Sequence, residues 1–392
     1  MKILIINSVC GIKSTGRICT DLACMLEKEG NEVKIAYGRD IVLSQFKKYA
    51  VKIGSNLDNN LHGLRARLFD GSGFGSNFAT RRLIKWIKNY NPDIIHLHNL
   101  HGYYINIKVL FNYIRSCDKR IIWTLHDCWP FTGHSAYCDA VNCEKWETSC
   151  FNCPQKLLYP KSYIDRSKHN WKLKKDIFNG IKNLTIVTPS QWLSSLVKRS
   201  FLNKYPTVVI SNGINTNIFY PQKNDLKANY GLKDKIVLLG VASIFDYLKG
   251  IDDFIELSRI LDDNYRIVLV GKINNHKLLL PTNIIHIENT NSQEELAKLY
   301  NMADIFLNLT KQDTYPTVNL EAIACGLPLI TYDVGGSTEI AKRYGGIVVK
   351  RGDFEQLLLA IRSIKRININ SRLEIDLDES LCITKYLNLY RK

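Results

Sequence analysis

Residues 2–37 read KILIINSVCGIKSTGRICTDLACMLEKEGNEVKIAY, and the fold is decided there. KILII (2–6) is an unbroken apolar run with the length and character of a strand buried on both faces. The turn CGIKSTGR leads into ICTDLACMLEKEG, where Ile18, Leu22, Met25, Leu26 and Glu29 recur at helical spacing and Gly30 supplies a stop. EVKIAY (32–37) is strand-like again. A strand, a crossing helix and a second strand make a βαβ unit, whose strands run parallel.

The same grammar continues outward. DIIHLH (93–98), RIIWTLH (120–126) and LTIVTPS (184–190) fit further strands. KIVLLGVAS (235–243) restarts the pattern, followed by the helix GIDDFIELSRIL and the strand YRIVLVG (265–271). After these come IIHIE, the helix SQEELAKLYNMA, DIFLNL, a helix opened by Pro316, PLITYD and GIVVK. The join falls near 205–235, where YPTVVISNGINTNIFYPQKND carries turn residues and two prolines. With 392 residues the chain exceeds one compact core. The expected fold is α/β, with two Rossmann-like doubly wound domains facing across a cleft. These are residues 1–205 with a Cys-rich insert at 128–154, and residues 206–370. A tail at 371–392 is expected to be a helix packing back on the first domain. Ligands of such sheets collect beyond the carboxyl ends of the strands.

Composition narrows the class. Charged residues at 23% and hydrophobic ones at 45% describe an ordinary globular protein. No apolar run reaches the roughly 18 residues of a membrane span, and the first residues lack the apolar core of a signal peptide. A cytoplasmic chain is expected. The net charge of +16 is one-sided. Residues 1–200 hold 30 Lys and Arg against 15 Asp and Glu, and residues 201–392 hold 23 against 22. The first half is therefore expected to meet an anionic partner such as lipid headgroups, pyrophosphate or nucleic acid, though a solvated basic surface gives the same balance. RRLIKWIKNY (81–90) places Arg81, Arg82, Lys85 and Lys88 among apolar residues, in the manner of an interfacial helix with Trp86 at the boundary, and an ordinary amphipathic surface helix, the slightly favoured reading, gives the same pattern.

QDTYPTVNLEAIACGLP (312–328) carries the most chemistry. Pro316 suits the first turn of a helix and Gly326-Leu-Pro328 ends it, so the helix start offers unpaired amides to a diphosphate. Thr317 and Glu321, four apart, share one helical face. A carboxylate at Glu321 suits the two hydroxyls of a ribose, and Asp313 the hydroxyls of a sugar. Thr314 and Tyr315 join them as substrate-binding candidates. Lys249, at the end of a strand and the start of a helix, supplies a cation for a departing diphosphate. Gly271 ends the next strand of that series, which GGSTE (335–339) completes. In the first half, Ser14, Gly16 and Arg17 lie in the loop STGR, where Gly16 permits close backbone approach and Arg17 meets an anion. His126 projects from the carboxyl end of RIIWTLH toward the expected cleft, with His96, His98 and His101 nearby. Asp376-Leu-Asp378 matches Asp-x-Asp but lies in the tail and is read as chance.

These residues resemble family 4 glycosyltransferases of the GT-B fold, whose signature is two acidic residues separated by seven with a proline between. Here they are Asp313 and Glu321, with Asp in place of the more usual Glu at the first position. The stretch Ser243-Ile244-Phe245 lacks the Arg that often accompanies the lysine. The resemblance implies that His126 contacts the donor sugar near the reaction centre. It also implies that transfer retains the anomeric configuration by front-face attack. STGRI, DIIHLHNLHGYYIN, WTLHDCWPFTGH, the cysteine segment ending CPQ, and DTYPTVNLEAIACG look like the branch containing a colanic-acid-type exopolysaccharide glycosyltransferase. That branch implies a hexosyltransferase of bacterial surface-polysaccharide assembly, for O-antigen, capsule or exopolysaccharide. Its partners would be a nucleotide-sugar donor, a polyprenyl-diphosphate-linked saccharide acceptor and the anionic inner face of the membrane. No cofactor is expected for the chemistry and no nucleic acid as partner.

Five of the eleven cysteines fall between Cys128 and Cys153. Cys138, Cys143, Cys150 and Cys153 are a candidate structural zinc set, with Cys128 and His134 as alternative ligands. Two rival functions remain at this level: a nucleotide-sugar epimerase of the same architecture, and a zinc-containing nucleic-acid-binding module. The second lacks any recognised base-reading element.

Overall fold

In the computed structural model, which describes residues 1–273, 279–364 and 377–391, the apolar runs become strands buried on both sides. The chain divides into two units, Met1–Ser211 with Ile383–Lys392, and Asn212–Cys382. In the first unit the strands are β1 (Lys2–Asn7), β2 (Glu32–Tyr37), β3 (Ala50–Lys52), β4 (Ile94–Leu97), β5 (Arg120–Thr124), β6 (Leu184–Thr188) and β7 (Thr207–Val209). They form one parallel sheet in the order β3-β2-β1-β4-β5-β6-β7. Its helices are α1 (Lys13–Lys28), α2 (Asn56–Phe69), α3 (Asn77–Tyr90), α4 (Ile107–Ser116), α5 (Ser167–Phe178) and α6 (Gln191–Arg199).

The second unit repeats the plan. Its strands are β8 (Ile236–Phe245), β9 (Tyr265–Ile273), β10 (Ile284–Ile287), β11 (Ile305–Asn308), β12 (Leu329–Tyr332) and β13 (Ile347–Val349). All pair parallel, in the order β10-β9-β8-β11-β12-β13. The helices are α7 (Leu226–Asn229), α8 (Ile251–Ile260), α9 (Gln293–Met302), α10 (Thr317–Ala324), α11 (Gly335–Tyr344) and α12 (Phe354–Ser363). A last helix, α13 (Glu379–Arg391), carries Tyr386 and Tyr390, whose hydroxyls bond to Thr124 and His96 of the first unit. In each sheet the strand order reverses beside the first strand, at β1 and at β8. That is the switch point where doubly wound sheets bind ligands.

The continuous apolar runs follow from burial on both faces. On β8, Val237 and Leu239 enter one core cluster while Leu238 enters another. On β9, Val268 and Val270 face the first cluster, and Ile267 and Leu269 the second. Alternating side chains thus feed two layers, and neither face has room for polar residues.

The structure departs from the sequence reading in three places. Ser14, Gly16 and Arg17 lie in the first turn of α1, not in a loop, because the turn closes earlier at Gly11. Gly11 donates its N–H to the carbonyl of Gly16 at 3.1 Å, and a Cβ on Gly16 would sit 3.0 Å from Val9 Cγ2. In α3, Leu83 and Ile87 are buried in the core and Trp86 stacks on Tyr90 at 4.9 Å. The stretch RRLIKWIKNY therefore offers solvent its charges while its main apolar face is used internally. Finally, β3 and β7 are three residues each, too short to stand out as apolar runs.

Asp376 and the expected boundary at 370/371 lie outside the described residues. Asp378 accepts from the Thr216 hydroxyl and the Ser380 N–H.

Candidate functional site

In the second unit the candidate residues gather at the carboxyl ends of β8, β9 and β11. Pro316, with φ −69°, sits one residue before α10 and sets the chain for the helix. Thr317 opens that helix and Glu321 lies one turn on, buried. The Tyr300 hydroxyl, from α9, donates to Glu321 Oε2 at 2.9 Å. Asp313 lies in the loop ahead of α10. Lys249 Nζ reaches Asp313 Oδ2 at 2.8 Å, and the N–H of Tyr315 donates to Oδ1 at 3.3 Å. The Asp313 carbonyl accepts from Gly336 N at 3.2 Å, which ties the loop to the start of α11. Thus Lys249, Asp313 and the GGSTE segment, distant in sequence, converge. Thr314 and Tyr315 are buried, and Asn212 Nδ2 donates to the Tyr315 carbonyl at 3.4 Å.

Gly271 is required by backbone contact. Its φ is +138°, and a Cβ there would lie 1.7 Å from the carbonyl oxygen of Ala242. Only glycine lets β8 and β9 close at this end. The Gly271 carbonyl in turn accepts from His286 Nε2 at 2.7 Å.

Two residues of this neighbourhood carry no signal in sequence spacing. Tyr300 reaches Glu321 only because α9 packs on α10. Lys311 is buried with Nζ 3.4 Å from Asp253 and 3.8 Å from the Tyr247 ring centre. Burial raises the Asp253 carboxyl above its ordinary value, with Lys311 opposing.

In the first unit the histidines of HLHNLH meet the end of β5. His98 Nδ1 and His126 Nε2 share a hydrogen bond at 2.9 Å, and the His98 ring centre lies 4.2 Å from that of His96. His96 Nε2 meets Thr124 Oγ1 at 2.8 Å and its Nδ1 meets the Tyr390 hydroxyl at 2.6 Å. Burial pushes His126 down to about 4 and His96 to about 3, and holds His98 well below its ordinary value. All three rings are neutral at pH 7. Next to His126, Asp127 takes His101 Nε2 at 2.6 Å and the N–H of Trp129 at 2.9 Å. Burial works against the Asp127 charge, yet these partners hold its carboxyl below the usual range. His101 passes the contact on to the Tyr159 hydroxyl at 3.0 Å. Arg17 faces Asp21 one turn along α1, where burial pushes the carboxyl up to about 6 against the pull of Arg17.

Cys138, Cys143, Cys150 and Cys153 line one apolar cavity of about 30 Å³ together with Trp146 and His134. Among the described residues no three His, Cys, Asp or Glu side chains lie close enough together to hold a metal ion. Burial pushes the Cys150 thiol up to about 12 and that of Cys153 to about 11. His134 Nδ1 is taken by Asp70 at 2.6 Å. The insert is anchored by buried Lys174, which donates to the carbonyls of Trp129 and Thr132.

Comparison with known proteins adds to this geometry. The model of Glycosyltransferase Family 4 matches residues 15–218, and that of Glycosyl transferases group 1 matches residues 222–376. A putative colanic acid biosynthesis glycosyl transferase, WcaC of Escherichia coli, is 26% identical over 74% of this chain and 72% of its own length. An N,N'-diacetylbacillosaminyl-diphospho-undecaprenol alpha-1,3-N-acetylgalactosaminyltransferase of Campylobacter jejuni is 26% identical over 47% of this chain and 53% of its own. Among solved structures, sucrose-phosphate synthase from Thermosynechococcus elongatus superposes with a TM-score of 0.73 at 17% identity, covering 100% of this chain and 98% of that one. HepE of Anabaena in complex with UDP gives 0.68 at 14% identity, over 99% of each chain. With a family model spanning each half and both sheets wound in the same order, the chain belongs to family 4 of the glycosyltransferases, with the GT-B fold.

Proposed function

We infer that this protein moves a hexose from a nucleotide-sugar donor to a lipid-linked saccharide acceptor, with retention at the anomeric carbon, in the assembly of a bacterial surface polysaccharide. The observation that carries the reading is the pairing of Lys249 with Asp313 in the loop that leads into α10, the helix on which Glu321 is buried. Glu321 holds the ribose and Asp313 the sugar. Lys249, released from Asp313, offsets the charge of the leaving diphosphate. Thr314, Tyr315, Thr317 and Gly271 serve the same donor. The acceptor hydroxyl attacks the anomeric carbon on the face from which the diphosphate departs. The bond from that carbon to phosphate oxygen breaks as the bond to the acceptor oxygen forms, and the hydroxyl proton passes to the departing phosphate. Positioning and charge stabilisation then supply the catalysis. In the first unit, the family resemblance gives Ser14, Gly16 and Arg17 a part in substrate binding and gives His126, which is hydrogen-bonded to His98, a contact with the donor sugar. The lipid-linked acceptor is supported by the name of the C. jejuni relative, and the polysaccharide role by that of the E. coli relative.

A thermal-shift panel of UDP-, GDP-, ADP- and dTDP-sugars tests this reading. One nucleotide should stabilise the parent by mass action, by about 2.7 kcal/mol at a hundredfold excess over Kd, and so raise its Tm, while leaving Glu321→Ala unmoved. No shift with any of them would count against it. The zinc reading of the insert rests on the four thiols sharing one cavity, and it requires them to close on the ion. Elemental analysis decides it. One equivalent of zinc, lost in Cys150→Ser, supports a structural site, and metal well below one equivalent overturns it.

A further inference from the structure

Helix α2 turns its leucines outward. Leu57, Leu61, Leu64 and Leu68 recur at the spacing of a single helical face, and the first three are 67%, 59% and 54% exposed. Such a stripe ordinarily faces a core, but here the buried residues of the helix are His62 and Ala66, and His62 is fixed by hydrogen bonds. His62 Nε2 accepts the N–H groups of Gly73 and Gly75, both at 3.1 Å, so its Nδ1 carries the proton and donates to Ser76 Oγ. Both ends of the helix are also pinned. Ser55 and Asp58 form a capping box at the start. Asp70, just past the end, accepts from His134, from the N–H of Arg166 and, through its carbonyl, from Asn170. The helix cannot roll its leucines inward without breaking these bonds.

The apolar surface continues beyond α2. Tyr163 donates its N–H to the carbonyl of Arg67, which lays the segment 157–164 against the helix end. Leu157, Tyr163 and Ile164 on that segment are exposed. Arg65, Arg67, Lys161 and Arg166 are exposed among them. The acids of these segments are engaged elsewhere. Asp58 caps α2 and faces Arg82, Asp70 is buried against His134, and Asp165 accepts from the N–H groups of Cys153 and Ser167. The same segment carries Tyr159, whose hydroxyl bonds to His101 and through it to Asp127 at the end of β5.

We propose that this leucine and arginine surface docks the protein on an anionic lipid membrane, beside the end of β5 that carries His126 and Asp127. Exposed apolar area of this extent calls for a cover. A second copy is a poor one, since a two-fold contact would set Arg65 and Arg67 against their own mates. An anionic bilayer accepts the leucines and neutralises the arginines together. The proposal deepens the lipid-linked acceptor reading, and docking can be measured without any acceptor.

The test is cosedimentation of the full-length protein with phosphatidylcholine vesicles, with and without phosphatidylglycerol. Binding should require phosphatidylglycerol and weaken with salt. The variant Leu57→Gln/Leu61→Gln/Leu64→Gln should lose it by roughly tenfold or more. Arg65→Gln/Arg67→Gln should weaken it, while the Tm and the nucleotide-induced shift of both variants match the parent. Equal sedimentation of parent and leucine variant overturns the proposal, as does a parent that binds no vesicles. Parent self-association that disappears in the leucine variant, with vesicle binding unchanged, assigns the face to a second copy instead.

Discussion

On the proposed reading donor recognition turns on Glu321, and its environment sets how large an effect its loss should have. The carboxylate is buried and receives the Tyr300 hydroxyl at 2.9 Å. Hydrogen bonds to a charged group contribute about 1.5–3 kcal/mol, so Glu321→Gln should weaken donor binding on the order of tenfold to a hundredfold. Tyr300→Phe keeps the charge and removes only an orienting bond, so it should cost less than tenfold and act mainly on KM. Donor titrations of the two variants check the order, and a Tyr300→Phe loss equal to that of Glu321→Gln would contradict it. Glu321, Asp313 and Lys249 were legible from spacing and position because helix starts and strand ends leave local marks. Tyr300 was not, because its contact depends on how α9 lies on α10. The ion pair between Lys249 and Asp313 was hidden for the same reason, spanning 64 positions.

At the scale of elements, the buried histidines make the first unit sensitive to acid. Burial lowers His62 and His126 to about 4 and His96 to about 3, against an unfolded value near 6.5. Between pH 6.5 and 4 the unfolded chain takes up protons that the folded chain refuses, so stability is full above 6.5 and falls as pH falls. Each group costs on the order of 1–2 kcal/mol at pH 5. The Tm should therefore drop between pH 7 and 5, and His62→Gln should flatten the slope. A Tm constant across that window would contradict the assignment of neutral rings. The elements themselves were largely legible. Apolar runs marked the longer strands of both sheets, while β3 and β7 offered too few residues to mark. The helical stretch 81–90 fits a membrane face and an ordinary amphipathic helix alike, and its leucine and isoleucines pack inward or lie half-covered. The leucines of α2 face out instead. Periodicity shows that a helix has two faces. Which face meets the core was settled by His62 and the capping bonds, which no spacing records.

For the whole molecule, the repeated strand order of the two sheets was legible because each half restarts with an apolar strand and a crossing helix. The charge asymmetry was legible too, with 30 Lys and Arg against 15 Asp and Glu in residues 1–200. What the charge meets was not, since composition locates no surface. On the proposed function, this family 4 chain turns over a nucleotide sugar with retention. The most direct measurement is proton NMR of the sugar first released when the protein is incubated with α-linked nucleotide sugars and water serves as acceptor. The account predicts that one nucleotide class is consumed, that the α-anomer appears before mutarotation, and that Glu321→Ala releases none. First release of the β-anomer, or equal release by Glu321→Ala, would contradict it.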